Sequence, residues 1–208
     1  MVRPVTLSME PYDATIDLDK TALIIIDMQE DFIHPGGFGD KLGNDVARLE
    51  KAVGPCQKVL QAARGRQQQR QQQKDDDDED EDKKKNSNNK GLRLIIHTRE
   101  GHRADLTDLH SIKHQRPGAP LSTKVIGTEG PRGRILIRGE PGHDIIPELY
   151  PQQGEPIIDK PGKGSFYATD LDAILKVCTE IVFRKTICPD LTLSLSFFFS
   201  FRRLLMFF

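Results

Sequence analysis

The sequence predicts a parallel, doubly wound α/β sheet, and three observations carry that expectation. A continuous apolar run bounded by polar residues, Ala22 to Ile26, reads as a strand covered on both faces, and Leu92 to His97 reads as a second buried strand. Stretches of helical apolar spacing follow them, so the order along the chain is strand, helix, strand, helix. The length of 208 residues suits one α/β domain with a real core, or two very small ones.

The elements follow in order. After a polar lead-in, "TALIIIDMQEDF" gives the first buried strand, Ala22 to Ile26, which ends at the acidic Asp27. "HPGGFGD" reads as a loop from its Pro and Gly content. From Asn44 to Ala63 apolar residues recur at helical spacing (Val46, Leu49, Val53, then Val59, Leu60 and Ala63), and Pro55 is expected to kink or divide that helix. Residues 66–90, "RQQQRQQQKDDDDEDEDKKKNSNNK", contain no apolar side chain and carry opposing charge blocks, so they read as a disordered insertion in a helix-to-strand connection. Closure entropy grows slowly with loop length, which makes such an expansion tolerable. The second buried strand, Leu92 to His97, resumes the fold. A short strand is expected at Ile135 to Ile137, and "EPIIDKPGKGSFYATDLDAILKV" reads as a strand at Pro156 to Ile158, a loop, and a helix from Asp170 to Val177. Thr169 or Asp170 is its expected N-cap.

Composition narrows the function classes. The 37% hydrophobic content is low for a globular chain, and the insertion accounts for it. Thirty basic and 31 acidic side chains exert no general pull toward nucleic acid. Three cysteines (Cys56, Cys178 and Cys188) form no disulfide framework, and the N-terminus has no apolar targeting core, so the expected location is cytoplasmic. Leu191 to Phe208 is oily but short for a membrane span, and Arg202 and Arg203 interrupt it; no membrane span is expected.

In doubly wound sheets ligands sit at the carboxyl ends of the strands. The reading places Asp27 after the first strand, Glu100 and His102 beyond the second, and Lys160 after "EPIID". A buried aspartate needs a partner, and a lysine from a neighbouring strand end is the natural one. Taken singly, Asp27 also reads as a strand-end cap and Lys160 as an ordinary surface lysine. "PGKGSF" around Lys163 lacks the spacing of a phosphate loop. Glu100 and His102 have no third ligand nearby, with His110 and His114 reading as loop residues, so neither a metal nor another cofactor is expected.

In combination, "LIIIDMQEDFIHPGG", "HTREGHRADL" and "IDKPGKGSFYATDLDAIL" closely resemble the isochorismatase-like cysteine hydrolases. Within them the likeness is to the amidohydrolase branch of ureidoacrylate and biuret hydrolases, with nicotinamidases more distant. It covers roughly residues 15 to 178. The resemblance implies a three-layer, Rossmann-like α/β fold spanning 15–187 and a Cys–Asp–Lys mechanism on an amide or ureido C–N bond of a small molecule. Asp27 matches the family's acid–base aspartate and Lys160 its lysine; Phe32 and Phe166 are weaker matches to pocket-lining positions, equally readable as core packing. A homo-oligomer is left open, because the family commonly forms them.

The departure comes at the nucleophile. The family continues with a G-x-T-T-x-x-C-V turn, which supplies the thiol and backbone amides for the oxyanion; here "CTEIVFRKTICPDLTLSLSFFF" stands in its place. Alignment from Lys160 puts the nucleophile near Leu193, where there is no cysteine. Cys188 comes too early and is followed by Pro189, which leaves it a poor stand-in; Cys178 and Cys56 read as small buried hydrophobes. The expectation is therefore an α/β fold incomplete at its C-terminus, with 188–208 a hydrophobic tail foreign to the family. The missing turn and later family elements suggest a truncated or misprocessed product, and a Ser-, Phe- and Leu-rich tail is what a translated intron end would look like. Such a chain is expected to be inactive; the alternative is a regulatory, oligomerising isoform.

Overall fold

In the computed structural model, residues 4–8, 11–18, 21–78, 94–110, 125–177, 182–185 and 202–207 are described. An antiparallel hairpin comes first, β1 (Val5–Leu7) with β2 (Ala14–Ile16), pairing Val5 with Ile16 and Leu7 with Ala14. The strand β3 (Ala22–Ile26) follows. Five apolar residues in a row have no polar face to offer water, and all five are buried. Each buried Leu or Ile contributes about 1.5–3 kcal/mol of transfer free energy.

Three short helices come next: α1 (Glu30–Ile33), α2 (Phe38–Lys41) and α3 (Val46–Glu50). The segment read as a loop thus contains α2, held at its start by the Asp40 carboxylate accepting from the Gly36 N–H at 2.7 Å. Asp45 caps α3 by accepting from the Arg48 N–H. The expected break near Pro55 is present. The helix α4 (Val53–Asp78) starts anew after α3, with Pro55 in its first turn, where a missing N–H costs nothing.

Cys56, Leu60 and Ala63 form the buried stripe of α4. Beyond Ala63 the helix continues to Asp78, so 66–78, expected to be disordered, are helical here. Gln, Arg and Lys are good helix formers, and extending an existing helix avoids the cost of nucleating one. The remainder of that segment, and Leu92 of the expected strand, lie outside the described residues.

The strand β4 (Leu94–Glu100) runs three residues beyond the expected end at His97, and Ile95 to Thr98 are all buried. A two-residue ladder, β5 (Glu129–Gly130) with β6 (Gly133–Arg134), precedes the run Ile135–Ile137. That run is buried but is not the expected strand. Leu136 has a left-handed φ of 53° and gives its N–H to the Asp31 carboxylate at 2.8 Å, which removes it from any ladder. Only Ile137 makes a bridge, to His102. Then come β7 (Ile157–Lys160), α5 (Leu171–Val177), β8 (Val182–Lys185) and β9 (Arg202–Phe207). The Thr169 hydroxyl accepts from the Leu171 N–H, as an N-cap does.

Five strands share a sheet in the order β7-β4-β3-β9-β8. The pairs β4–β7 and β8–β9 are parallel. Arg202–Phe207, part of the stretch read as foreign to the family, form a strand of this sheet; 186–201, including Cys188 and Leu193, lie outside the described residues, as does Cys178. No helix among the described residues is long and apolar enough to cross a membrane.

The chain divides into two compact units. One draws on residues up to Ile24, on Lys58–Ile96 and on Ala173–Phe207; the other comprises Ile25–Gln57 and His97–Asp172. The second unit has its own apolar cluster of Leu109, Val125, Ile126, Ile135 and Leu136, against which Phe32, Phe38 and Leu106 pack. Every residue of the candidate site belongs to this second unit.

Candidate active site

The site begins where β3 ends. Asp27 adopts a left-handed φ of 53°, a conformation that aspartate tolerates better than most residues. Its N–H donates to the Thr98 carbonyl at 3.1 Å, and the Thr98 hydroxyl donates to its Oδ1 at 2.8 Å. The other carboxylate oxygen, Oδ2, lies 2.7 Å from Lys160 Nζ.

Strand register explains why these side chains meet. Parallel pairing of β4 with β7 sets Thr98 beside Ile158, Arg99 beside Asp159 and Glu100 beside Lys160. Alternation then sends Thr98, Glu100 and Lys160 to one face and Arg99 with Asp159 to the other. On the first face the Lys160 ammonium is 1% exposed. It donates to the Gly162 carbonyl at 3.0 Å and stands 3.7 Å from Glu100 Oε2. One buried cation therefore serves two carboxylates. Burial pushes the Asp27 carboxyl above its ordinary range; Lys160 and the Thr98 hydrogen bond pull it back without cancelling the rise, and the Glu100 charge adds to it.

Beyond Glu100, His102 is buried with Nε2 4.0 Å from Glu100 Oε1 and Nδ1 3.3 Å from Asp108 Oδ1. Among the described residues no group of three or more His, Cys, Asp or Glu is placed to hold a metal. His110 and Lys163 are exposed, and His114 lies outside the described residues.

The opposite face carries a second network. Arg99 grips Asp159 with two parallel bonds, Nε to Oδ1 at 2.7 Å and Nη2 to Oδ2 at 3.0 Å, and donates Nη1 to Asp144 at 2.8 Å. His143 is buried beside it, 3.5 Å from Asp159 Oδ1. Burial, together with the Arg99 charge, holds the imidazole down at about 4. Gly101 makes room for that ring: a Cβ there would stand 2.1 Å from His143 Nε2.

Gln29 ties the two faces together. Fully buried, its amide donates to the carbonyls of Glu100 (3.0 Å) and His143 (2.7 Å) and accepts from the Glu100 N–H (2.7 Å). Asp31, also buried, holds Leu136, and burial pushes its carboxyl up as well.

Of the residues singled out from the sequence, Asp27, Glu100 and Lys160 come together. Phe32 packs edge-on against Phe38, with ring centroids 5.5 Å apart, beside the apolar cluster. Phe166 is 49% exposed in the loop after β7. Cys56 is buried in α4. Sequence reasoning missed Thr98, Arg99, Asp159 and Gln29. Gln29 had a signal, since it stands two residues beyond Asp27, just past the end of the buried strand. The others depend on register.

The family profile described as "Isochorismatase domain" matches residues 21–183. Among solved structures, an isochorismatase family protein from Desulfovibrio vulgaris subsp. vulgaris str. Hildenborough is 23% identical. That match covers 76% of this chain and 62% of that one, with a TM-score of 0.50, and it shows a shared fold. A cysteine hydrolase from Pseudomonas syringae pv. phaseolicola 1448A is 25% identical over 78% of this chain and 56% of its own, with a TM-score of 0.48. N-carbamoylsarcosine amidase from Thermoplasma acidophilum is 22% identical over 76% and 61%, with a TM-score of 0.44. The chain thus spans 56% to 62% of the length of these three structures.

Proposed function

Because the chain belongs to the isochorismatase family, we propose that Asp27 and Lys160 are the acid–base half of a site for hydrolysing an amide or ureido C–N bond. In that chemistry a thiol attacks the carbonyl and gives its proton to Asp27. The carboxyl then passes the proton to the departing amine, leaving an acyl-thioester for water to cleave. Lys160 supplies the positive charge that keeps the aspartate usable and favours the thiolate. The observation that carries the proposal is the 2.7 Å contact between a fully enclosed Lys160 and Asp27 at the ends of two strands. An ion pair taken out of water is a weak source of stability, which favours a chemical reason for it.

The third member, the thiol, is the part this sequence lacks: no G-x-T-T-x-x-C-V turn follows α5, and Cys188 precedes the expected position near Leu193. The chain therefore holds the acid and the lysine without the nucleophile they serve, and by itself it does not turn over substrate. The test offers the purified chain biuret, nicotinamide and ureidoacrylate-type amides, with and without thiol alkylation. Binding without turnover, with binding reduced in Asp27→Asn, is the expected result. Alkylation-sensitive turnover that vanishes in Cys188→Ala overturns the missing-nucleophile reading, and absence of any binding overturns the site. Absence of turnover together with co-purification of a longer paralogue favours the second reading, a regulatory partner of active subunits.

A further inference from the structure

Resting on that reading of Asp27 and Lys160, we infer that Glu100 is a positioning residue, which divides the Lys160 ammonium between two carboxylates and so keeps Asp27 a proton acceptor rather than an inert counter-ion. The argument begins with register. Glu100 and Lys160 are direct partners in the β4–β7 ladder, so their side chains leave the sheet side by side. Lys160 Nζ lies 2.7 Å from Asp27 and 3.7 Å from Glu100, and the Glu100 side chain is 9% exposed. A carboxylate at that depth is costly unless its charge is used or compensated.

The backbone of Glu100 is fixed at both polar atoms by the Gln29 amide, so the strand end cannot swing the carboxylate out to water without breaking those bonds. The groups facing Glu100 are Lys160 from β7, Asp27 from the end of β3, and His102 two residues on, with Asp108 and Arg138 behind it; Arg138 Nη2 stands 3.6 Å from Asp108 Oδ2.

The Lys160 charge pulls the Asp27 carboxyl down against the larger lift that burial gives it, and the stronger that pull the poorer the base. The Glu100 carboxylate, beside the same ammonium, opposes the pull and adds to the lift. A base drawn back toward the working pH removes a thiol proton more readily. Glu100 acts only through Lys160 and the local field; no step of the reaction requires it to touch substrate.

The test follows the Asp27 side-chain carboxyl by carbon NMR across a pH titration of the full-length chain, wild type against Glu100→Gln. The glutamine keeps the shape and loses the charge. The inference expects the Asp27 midpoint to fall in Glu100→Gln, because the charge that adds to its lift is gone, with the unfolding midpoint in urea followed in parallel. An unmoved Asp27 midpoint in a folded Glu100→Gln protein overturns it. Should that variant fail to fold, the wild-type titration decides alone. Two carboxyls sharing one ammonium titrate in coupled steps, so the Asp27 and Glu100 signals each show both transitions; single independent transitions overturn the inference. Neither readout requires turnover, so failure here leaves the hydrolytic reading standing, whereas failure of the binding and activity test removes the role while leaving the measured Asp27–Glu100 coupling as a separate result.

Discussion

Replacing Lys160 with methionine removes one charge and keeps most of the volume, which isolates the electrostatic role of the buried ammonium. In Lys160→Met two carboxylates, Asp27 and Glu100, are left facing a methyl group at a site where the lysine itself is 1% exposed. Breaking a buried ion pair by removing one partner costs about 3–5 kcal/mol, a large share of the roughly 5–15 kcal/mol of a typical domain. Protonation of Asp27 relieves part of that cost. Its folded pKa is already raised above the ordinary 3.8 of an aspartate, so the folded state binds this proton more tightly than the unfolded chain does. Stability from such a group is greatest at low pH and declines as pH rises from the unfolded to the folded pKa. Loss of Lys160 pushes the folded value higher, widening that window, with a slope of at most about 1.4 kcal/mol per pH unit for one proton. Urea unfolding of the full chain at pH 5 and pH 8 should show the variant destabilised at both and more so at pH 8. Asp27→Asn added to Lys160→Met should recover about 2 kcal/mol at pH 8, because it removes the stranded charge. A Lys160→Met protein within about 1 kcal/mol of wild type at both pH values, with no gain from the second change, would refute the reasoning.

Three further outcomes are expected. Gln29→Leu strands the Glu100 N–H and two carbonyls in a buried site, which should cost about 3–5 kcal/mol and speed hydrogen exchange at the Glu100 amide. For His143 the folded pKa of about 4 lies below the ordinary 6.5 of a histidine, so the unfolded chain takes up the proton first as pH falls. Stability from this residue is complete above pH 6.5 and is lost toward pH 4, by at most about 3 kcal/mol; acid titrations of wild type and His143→Gln should diverge across that window, and parallel curves would count against it. Replacing 66–90 with a short Gly/Ser connection should reduce the helical circular dichroism signal while changing the unfolding free energy in urea by less than about 1 kcal/mol, since no apolar residue is removed.

The apolar runs made the sheet legible. Ala22–Ile26 reads as a buried strand because nothing in it can face water, and the helix after Thr169 announces itself by its cap. Asp27 and Lys160 were legible because strand ends are where charge collects in this architecture and the surrounding motifs resemble a known family. Ile135–Ile137 misled, since burial alone does not make a strand: Leu136 spends its N–H on Asp31 instead of a neighbouring backbone. The helical course of 66–78 was hidden because composition reports what a segment can bury and says little about whether an existing helix runs on through it. Thr98, Arg99 and Asp159 could not be assigned from sequence, because a face of a sheet is fixed only once two strands choose their alignment.

That alignment carries a safeguard. Arg99-Glu100 and Asp159-Lys160 are two adjacent pairs of opposite charge laid alongside each other. A slip of β7 by a single residue would turn Lys160 toward Arg99 and present Asp159 to Asp27 and Glu100. Like charges would then meet on both sides of the sheet at once, with only Asp144 left to offset the two cations on one of them. The same four residues that shape the site thus act as a lock on the order in which the strand ends can be assembled, and a misthreaded chain would betray itself electrostatically before any pocket could form.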